Sequence, residues 1–298
     1  MPQLARNLLR ILTLVPFLLA QACNSPFQVK QVYSPQLVIY GIVFRGDSSV
    51  VIRVETNSKT QLSDSMISSQ LPGLNGVLTN ETTGDSIQLV SSFEGKLNFL
   101  QGILRTNPGN SISIRAVASN YLQCSANATV IGPAIIYPSP WTNSSLREPA
   151  PGSQDPQFTI YPSSNTMAIR LVMLLVYQGT DTSGKLISGT IMLTPSYQQD
   201  TTSYFLRVNG ATTAISFPLS DYISALSSAV GSLKSGTVVA DVKLLQLDAT
   251  LYDYYSISNG FNDPLTMRTE RPVFTNVNGG LGFLGSASYD SLDIQVFP

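Results

Sequence analysis

Short runs of β-branched and aromatic residues, each closed by turn residues, recur along nearly the whole chain, and that rhythm restricts its fold most. Gln36 to Phe44 (QLVIYGIVF) and Ser48 to Glu55 (SSVVIRVE) come first, joined by Arg45-Gly46-Asp47, whose Gly-Asp pair is hairpin chemistry. That tripeptide also spells an integrin-type adhesion motif, but a hairpin turn explains it. Ser86 to Val90, Asn98 to Leu104, Ser111 to Val117 and Val130 to Tyr137 follow, with turns at Asn80 to Gly84 and Asn107-Pro108-Gly109-Asn110. About seven strands at this spacing predict an Ig-like β-sandwich over residues 23–137.

Residues 138–156 break the rhythm. Pro138, Pro140, Pro149, Pro151 and Pro156 stand among Ser, Asn and Gly, the composition of a linker. Strand patterns resume at Gln157 to Tyr161, Ala168 to Tyr177, Leu186 to Leu193 and Ser203 to Val208, predicting a second β-sandwich over 157–298. One segment differs. Leu219, Tyr222, Ile223, Leu226, Val230 and Leu233 recur at helical spacing, with Ser220 as N-cap and Gly236 just past the end. Thr237 to Leu251 then reads as one long strand, straight or bulged. The expectation is an all-β protein of two sandwich domains, the second carrying one amphipathic helix.

Residues 1–22 read as a secretory signal peptide, with Arg6 and Arg10 ahead of the apolar run Ile11 to Ala20. That run is too short to span a ~30 Å hydrocarbon core, which needs ~20 residues. It ends Leu19-Ala20-Gln21-Ala22-Cys23, small residues before a cysteine, as the lipoprotein signal peptidase requires. Cys23 is then the lipidated first residue, and several acyl chains hold it in the outer membrane at about 0.8 kcal/mol per buried methylene. Cys124 is left as a small buried hydrophobe. The other reading takes Ala20-Gln21-Ala22 as an ordinary cleavage site and pairs Cys23 with Cys124 in an oxidising periplasm. Asn24-Ser25-Pro26 carries no acidic cluster, which leans towards the periplasmic rather than the cell-surface face without fixing it.

Charge and composition exclude several functions. Charged residues make up 12% of the 298, about half the ~25% usual in soluble domains. Seventeen basic residues against eighteen acidic ones form no basic run, so the footprint of a nucleic-acid binder is missing. There is no histidine, which removes Ser-His-Asp and Cys-His catalysis and the histidine zinc motifs. Carboxylate hydrolysis and oxygen-ligand calcium remain. Asp241 and Asp248 fall on opposite faces of an extended chain, as do Asp290 and Asp293, whereas a hydrolytic pair sits ~5–9 Å apart across a cleft. Asp181, within Gly179 to Gly184, reads as a turn residue without the spacing of a calcium loop. No catalytic residue, metal site or cofactor is assigned.

The tail is the most distinctive part. Leu247 to Tyr255 (LDATLYDYY) runs on to Asn262-Asp263-Pro264-Leu265 and then to Arg271 through Gly285 (RPVFTNVNGGLGFLG). Together with the lipobox, the opening strand and the total length, it resembles the domain-of-unknown-function family 4249 of Bacteroidota lipoproteins. Their last segment has a tyrosine-rich strand, an Asn-Pro-Phe-like turn and an Asn-x-x-Gly-Gly-Leu-Gly-x-Phe-like stretch. The resemblance implies an outer-membrane lipoprotein encoded beside a TonB-dependent receptor, and it brings no catalytic residues. The glycines have a structural reading of their own, positive φ and close backbone approach. Tyr252, Tyr254 and Tyr255, with Trp141 in the proline-rich stretch, are the candidates to stack on a sugar or planar ligand. Three functions are consistent with these features: a binding or accessory lipoprotein for a TonB-dependent nutrient transporter, a structural or adhesive surface protein, and a carboxylate-based hydrolase.

Overall fold

The computed structural model describes residues 35–46, 49–57, 70–138, 154–199, 205–260 and 275–297; the leader, Cys23, Trp141 and most of the proline-rich stretch lie outside the described residues. The first half supplies β1 (Leu37–Phe44), β2 (Ser49–Thr56), β3 (Asn75–Asn80), β4 (Ser86–Glu94), β5 (Leu97–Ile103), β6 (Ser111–Val117), β7 (Cys124–Thr129) and β8 (Ile135–Pro138). The second supplies β9 (Gln157–Tyr161), β10 (Ala168–Thr180), β11 (Leu186–Leu193), the single turn α1 (Ser196–Gln199), β12 (Leu206–Arg207) and β13 (Thr213–Ser216). It ends with α2 (Leu219–Gly231), β14 (Ser235–Leu247), α3 (Ala249–Gly260) and β15 (Leu281–Phe297). The fold is all-β, as the strand rhythm predicts.

Most strands join one path, β11-β10-β14-β15-β1-β2-β5-β4-β3-β6-β7, and β13-β9-β8 form a second, small sheet. In the first half the large sheet curls until β7 meets the segment leading into β15. Ser125 and Asn278 exchange backbone hydrogen bonds there, at 3.0 and 2.8 Å. The curl encloses one core, with Ile39, Ile52, Leu78, Leu100, Ile112, Ile114 and Cys124 at its centre. In the second half, α2 and the small sheet cover one face of β11-β10-β14-β15. Phe158, Phe217, Tyr222, Leu171 and Leu244 pack between these layers. The proline-rich stretch separates the two cores in sequence, yet β8 from before it pairs with β9 from after it.

One strand belongs to both halves. Residues 281–287 of β15 pair in parallel with β1 (Val38↔Leu281 to Phe44↔Ala287), and residues 287–297 pair antiparallel with β14 (Leu247↔Ala287 to Val238↔Phe297). The glycine-rich tail threads this strand into place. Asn276 acts as a strand residue through its side chain: Oδ1 accepts from Leu284 N at 3.0 Å and Nδ2 donates to Leu284 O at 2.8 Å. Gly282 sits at φ +95, and a Cβ there would lie 2.0 Å from the carbonyl oxygen of Ile39. Only glycine permits that approach.

The seam between the cores is polar and buried. Gln246, fully buried, uses its whole amide: Nε2 donates to Gly132 O and Asp290 Oδ2 (both 3.1 Å), while Oε1 accepts from Ser163 N (2.9 Å) and Thr166 Oγ1 (3.0 Å). Arg45, from the β1–β2 turn, reaches Asp290 Oδ1 at 2.5 Å and Tyr289 O at 2.8 Å. The buried Ser286 hydroxyl accepts from Ile131 N at 3.0 Å.

Two local expectations change. The helix expected over Leu219 to Leu233 forms, but Pro218 occupies the N-cap position in place of Ser220. Asp155 Oδ1, from outside the helix, accepts the Leu219 N–H at 3.0 Å instead. The helix ends at Gly231, and Gly236 already belongs to β14. The long strand expected to run to Leu251 stops at Leu247, and the tyrosine-rich segment is helical as α3. Strand-like composition is overridden by a strong N-cap, described below.

Replacing Gly282 by alanine is expected to destabilise the protein by at least about 2 kcal/mol, since positive φ and backbone overlap act together. Gly84→Ala, also at positive φ but with open space around it, should cost about 1–2 kcal/mol from backbone conformation alone. Urea denaturation of both variants checks the ranking.

Candidate functional site

The tyrosines singled out in the sequence lie on α3, which packs on the outer face of the sheet where β1 meets β15. Asp248 starts the helix. Its Oδ1 accepts from Leu251 N at 2.8 Å, its Oδ2 from Ser286 N at 2.7 Å, and its own N–H donates to Ser286 O at 3.1 Å. One carboxylate thus caps α3 and fastens it to β15. Leu251 is fully buried over Gly285, where a Cβ would lie 2.5 Å from Leu251 Cγ. The ring of Tyr254 then lies 4.4 Å from that of Phe283, which meets Tyr40 edge-on at 5.6 Å. Tyr255 packs against Tyr254 and Phe205 at 5.6 and 5.4 Å. Tyr252 is half-buried. Packing therefore already engages Tyr254 and Tyr255, and burial pushes the Tyr255 hydroxyl above its ordinary value. Trp141 lies outside the described residues.

Among the described residues, an aromatic surface facing solvent lies on the small sheet. In β8, Ile136 turns inward while Ile135 and Tyr137 point out; in β9, Phe158 and Ile160 turn inward while Thr159 and Tyr161 point out. The register sets Ile135 opposite Tyr161 and Tyr137 opposite Thr159. Tyr137 and Tyr161 are diagonal neighbours, with ring centroids 5.8 Å apart and planes 80° apart. Their exposures are 55% and 43%, and Ile135 is 56% exposed. A shallow concavity of about 570 Å³ lies over them, floored by Thr159 and closed by Pro138. Alternation along β9 is legible in the sequence. That the outward set is aromatic, and uncovered by the described residues, follows only from which strands pair.

A second concavity, of about 620 Å³, lies at the junction of the halves, with Asn127, Thr129, Asn165, Thr250 and Asn276 around Asp248. Asp248 is the titratable group burial perturbs most among the described carboxylates. Desolvation pushes it up to about 6, opposed by the N–H groups of Leu251 and Ser286 and assisted by nearby Asp253. Both carboxylate oxygens are held by backbone donors, which makes it a structural clasp.

The remaining candidates are accounted for by packing. Asp290 faces the seam and Asp293 the solvent, on opposite faces of β15. Asp241 pairs with Lys243, two residues on along the same face of β14 (Nζ 3.1 Å from Oδ2), and sits directly opposite Asp293 on β15. Asp181 caps its own turn: Oδ1 accepts from Ser183 N, Ser183 Oγ and Lys185 N, holding the carboxyl below its ordinary value. Cys124 is a free thiol in the first core, pushed up to about 11 by burial.

No protein-family model matches the chain, and no curated protein does. Among solved structures, a pullulanase from Anoxybacillus sp. is similar over 69% of this chain and 24% of its own, at 7% identity and a TM-score of 0.20. Dimeric latent PorU from Porphyromonas gingivalis is similar over 92% of this chain and 21% of its own, at 10% identity and 0.20. The C-terminal domain of the Streptococcus agalactiae AgI/II polypeptide BspA is similar over 87% and 99%, at 9% identity and 0.18. The chain spans about a quarter or less of the first two. At such TM-scores none of these likenesses bears on function.

The Asp248 environment predicts a pH signature with a defined sign. A folded value near 6 against an ordinary unfolded value near 4 means the folded state holds this proton longer. This contribution is therefore full below about pH 4 and is lost as pH rises to about 6, by roughly 3 kcal/mol. Subtracting the stability profile of Asp248→Asn from that of the wild type, measured by chemical denaturation between pH 4 and 7, should give that falling difference.

Proposed function

We propose that this chain is an exported, lipid-anchored outer-membrane protein that binds a ligand or partner without transforming it, as an accessory to a TonB-dependent transporter. The observation that supports binding best is the outward face of β8 and β9. Two tyrosines and an isoleucine about half exposed on strands carry a solvation cost that the Tyr137–Tyr161 edge-to-face contact offsets in part. They offer an apolar concavity with tyrosine hydroxyls, suited to a sugar ring or planar group. The concavity is lined by Ile135, Tyr137, Pro138, Thr159 and Tyr161, which supply stacking faces and hydroxyls rather than a carboxylate couple. The anchor rests on the signal peptide and on Cys23 directly after Ala20-Gln21-Ala22. The transporter partnership rests on the resemblance of the tail and lipobox to the Bacteroidota lipoproteins.

Three measurements test this reading. Cys23→Ser should abolish incorporation of labelled palmitate and release the protein from the outer-membrane fraction; an unchanged membrane fraction refutes the anchor. A tagged pull-down from gently solubilised outer membranes should recover a TonB-dependent receptor in stoichiometric amount. The double variant Tyr137→Ala, Tyr161→Ala should weaken binding to the best hit of a glycan array at least about tenfold, the scale of a lost aromatic anchor. Its melting temperature should hold, because both side chains are exposed.

A further inference from the structure

The concavity of about 620 Å³ where the two halves meet shares no lining residue with the aromatic face of β8 and β9. Segments distant in the chain build it: the start of β6, the end of β7, the turn ahead of β10, the first turn of α3 and Asn276 ahead of β15. Some of its polar groups are committed to the fold. Asn276 uses both ends of its amide on Leu284, Thr166 Oγ1 donates to Gln246 Oε1, and the Asp248 carboxylate accepts from the N–H groups of Leu251 and Ser286. Others are not. The side chains of Ser111, Asn127, Thr129 and Asn165 line the same concavity and have no hydrogen-bond partner among the described residues. Register groups three of them. Ser111 pairs with Thr129 across β6 and β7, and Asn127 lies two residues back along β7, so all three share one sheet face. Asn165 joins them from the turn at φ +69, a conformation asparagine tolerates better than most residues.

We propose that this concavity is a second binding site, separate from the aromatic face, and that it takes a neutral sugar. A carboxamide donates through nitrogen and accepts through oxygen, and a hydroxyl does both, so the uncommitted groups match a ligand that is itself rich in hydroxyls. Charge narrows the class. Among the described residues no lysine or arginine lines the concavity, so an anion finds no counter-charge there, and the Asp248 carboxylate repels it. A calcium-like cation needs six or more oxygens, several of them charged, and here it would meet one carboxylate already engaged by backbone donors. Met167 and Ala249 add apolar surface beside the amides, which suits the C–H side of a sugar ring. The volume lies within the ≈ 300–1,000 Å³ usual for small-molecule sites. Asn127 and Asn165 reach the ligand from different segments and are its principal polar contacts. The site requires neither the lipid anchor nor the exposed tyrosines.

Isothermal titration calorimetry of the full chain in detergent against glucose, galactose, mannose and N-acetylglucosamine tests the site. At least one of these sugars should bind saturably, with a dissociation constant in the millimolar range or below. The double variant Asn127→Ala, Asn165→Gly should weaken that binding at least about tenfold, the scale of two lost hydrogen bonds. Glycine replaces Asn165 because alanine would be strained at its positive φ. Both side chains are exposed, so the melting temperature should hold. The double variant Tyr137→Ala, Tyr161→Ala should leave this binding in place. A protein that binds none of the four sugars overturns the proposal, and so does binding that survives the loss of both asparagines. Binding abolished with the tyrosines also overturns it and assigns the sugar to the aromatic face.

Discussion

Everything in this fold hangs on the seating of β15 between neighbours from opposite halves of the chain. Its first part must lie parallel to β1 and its second antiparallel to β14. The two registers meet at Ala287, so the strand hands over from one half to the other there, and parallel pairing is reached only when the intervening chain supplies a long connection. Here that connection is almost the whole protein. The Asn276 side chain and the close approach at Gly282 are the local means by which the strand is brought to register with β1.

Around β15 the apolar and polar contributions are divided. Two cores and the aromatic cluster under α3 provide non-directional burial, which fixes that the layers meet but weakly fixes how they meet. The seam supplies direction. Gln246 spends all four hydrogen-bonding positions of its amide, and Asp290 joins Arg45, Gln246 and Ala134 N through one carboxylate. A buried network of this kind tolerates little sliding, because any shift strands a polar group in a low dielectric. Asp248 does the same at the edge of the third cluster, tying α3 to β15 through two backbone donors.

Local order was largely legible in the sequence. Runs of β-branched, aromatic and aliphatic residues closed by turns marked β1, β2, β5, β6 and β10, and the spacing of Tyr222, Leu226 and Val230 marked α2. The helix α3 was not legible as such. Thr250, Tyr252, Tyr254 and Tyr255 favour strands, and the deciding contacts, Asp248 with Ser286 and Leu251 with Gly285, join residues distant in the chain. The candidate site was obscured for the same reason. Tyrosines in α3 and in β8 and β9 look alike in a sequence, yet one set lies under a helix and the other stands in water, and pairing decides which. Likewise the Asp241–Asp293 opposition exists only across strands and appears in no spacing along the chain.

The sharing of β15 also imposes an order in time. Whether the chain emerges from a ribosome or from a translocation channel, β1 appears early with one edge paired to β2 and the other bare, and the strand that covers it is the last to arrive. Contacts of such long sequence separation fold slowly, and until they form the intermediate carries an unsealed sheet edge beside Tyr40, Ile42 and Phe44. The body therefore stays unfinished while the chain is in transit and closes in a late step once the whole of it is through.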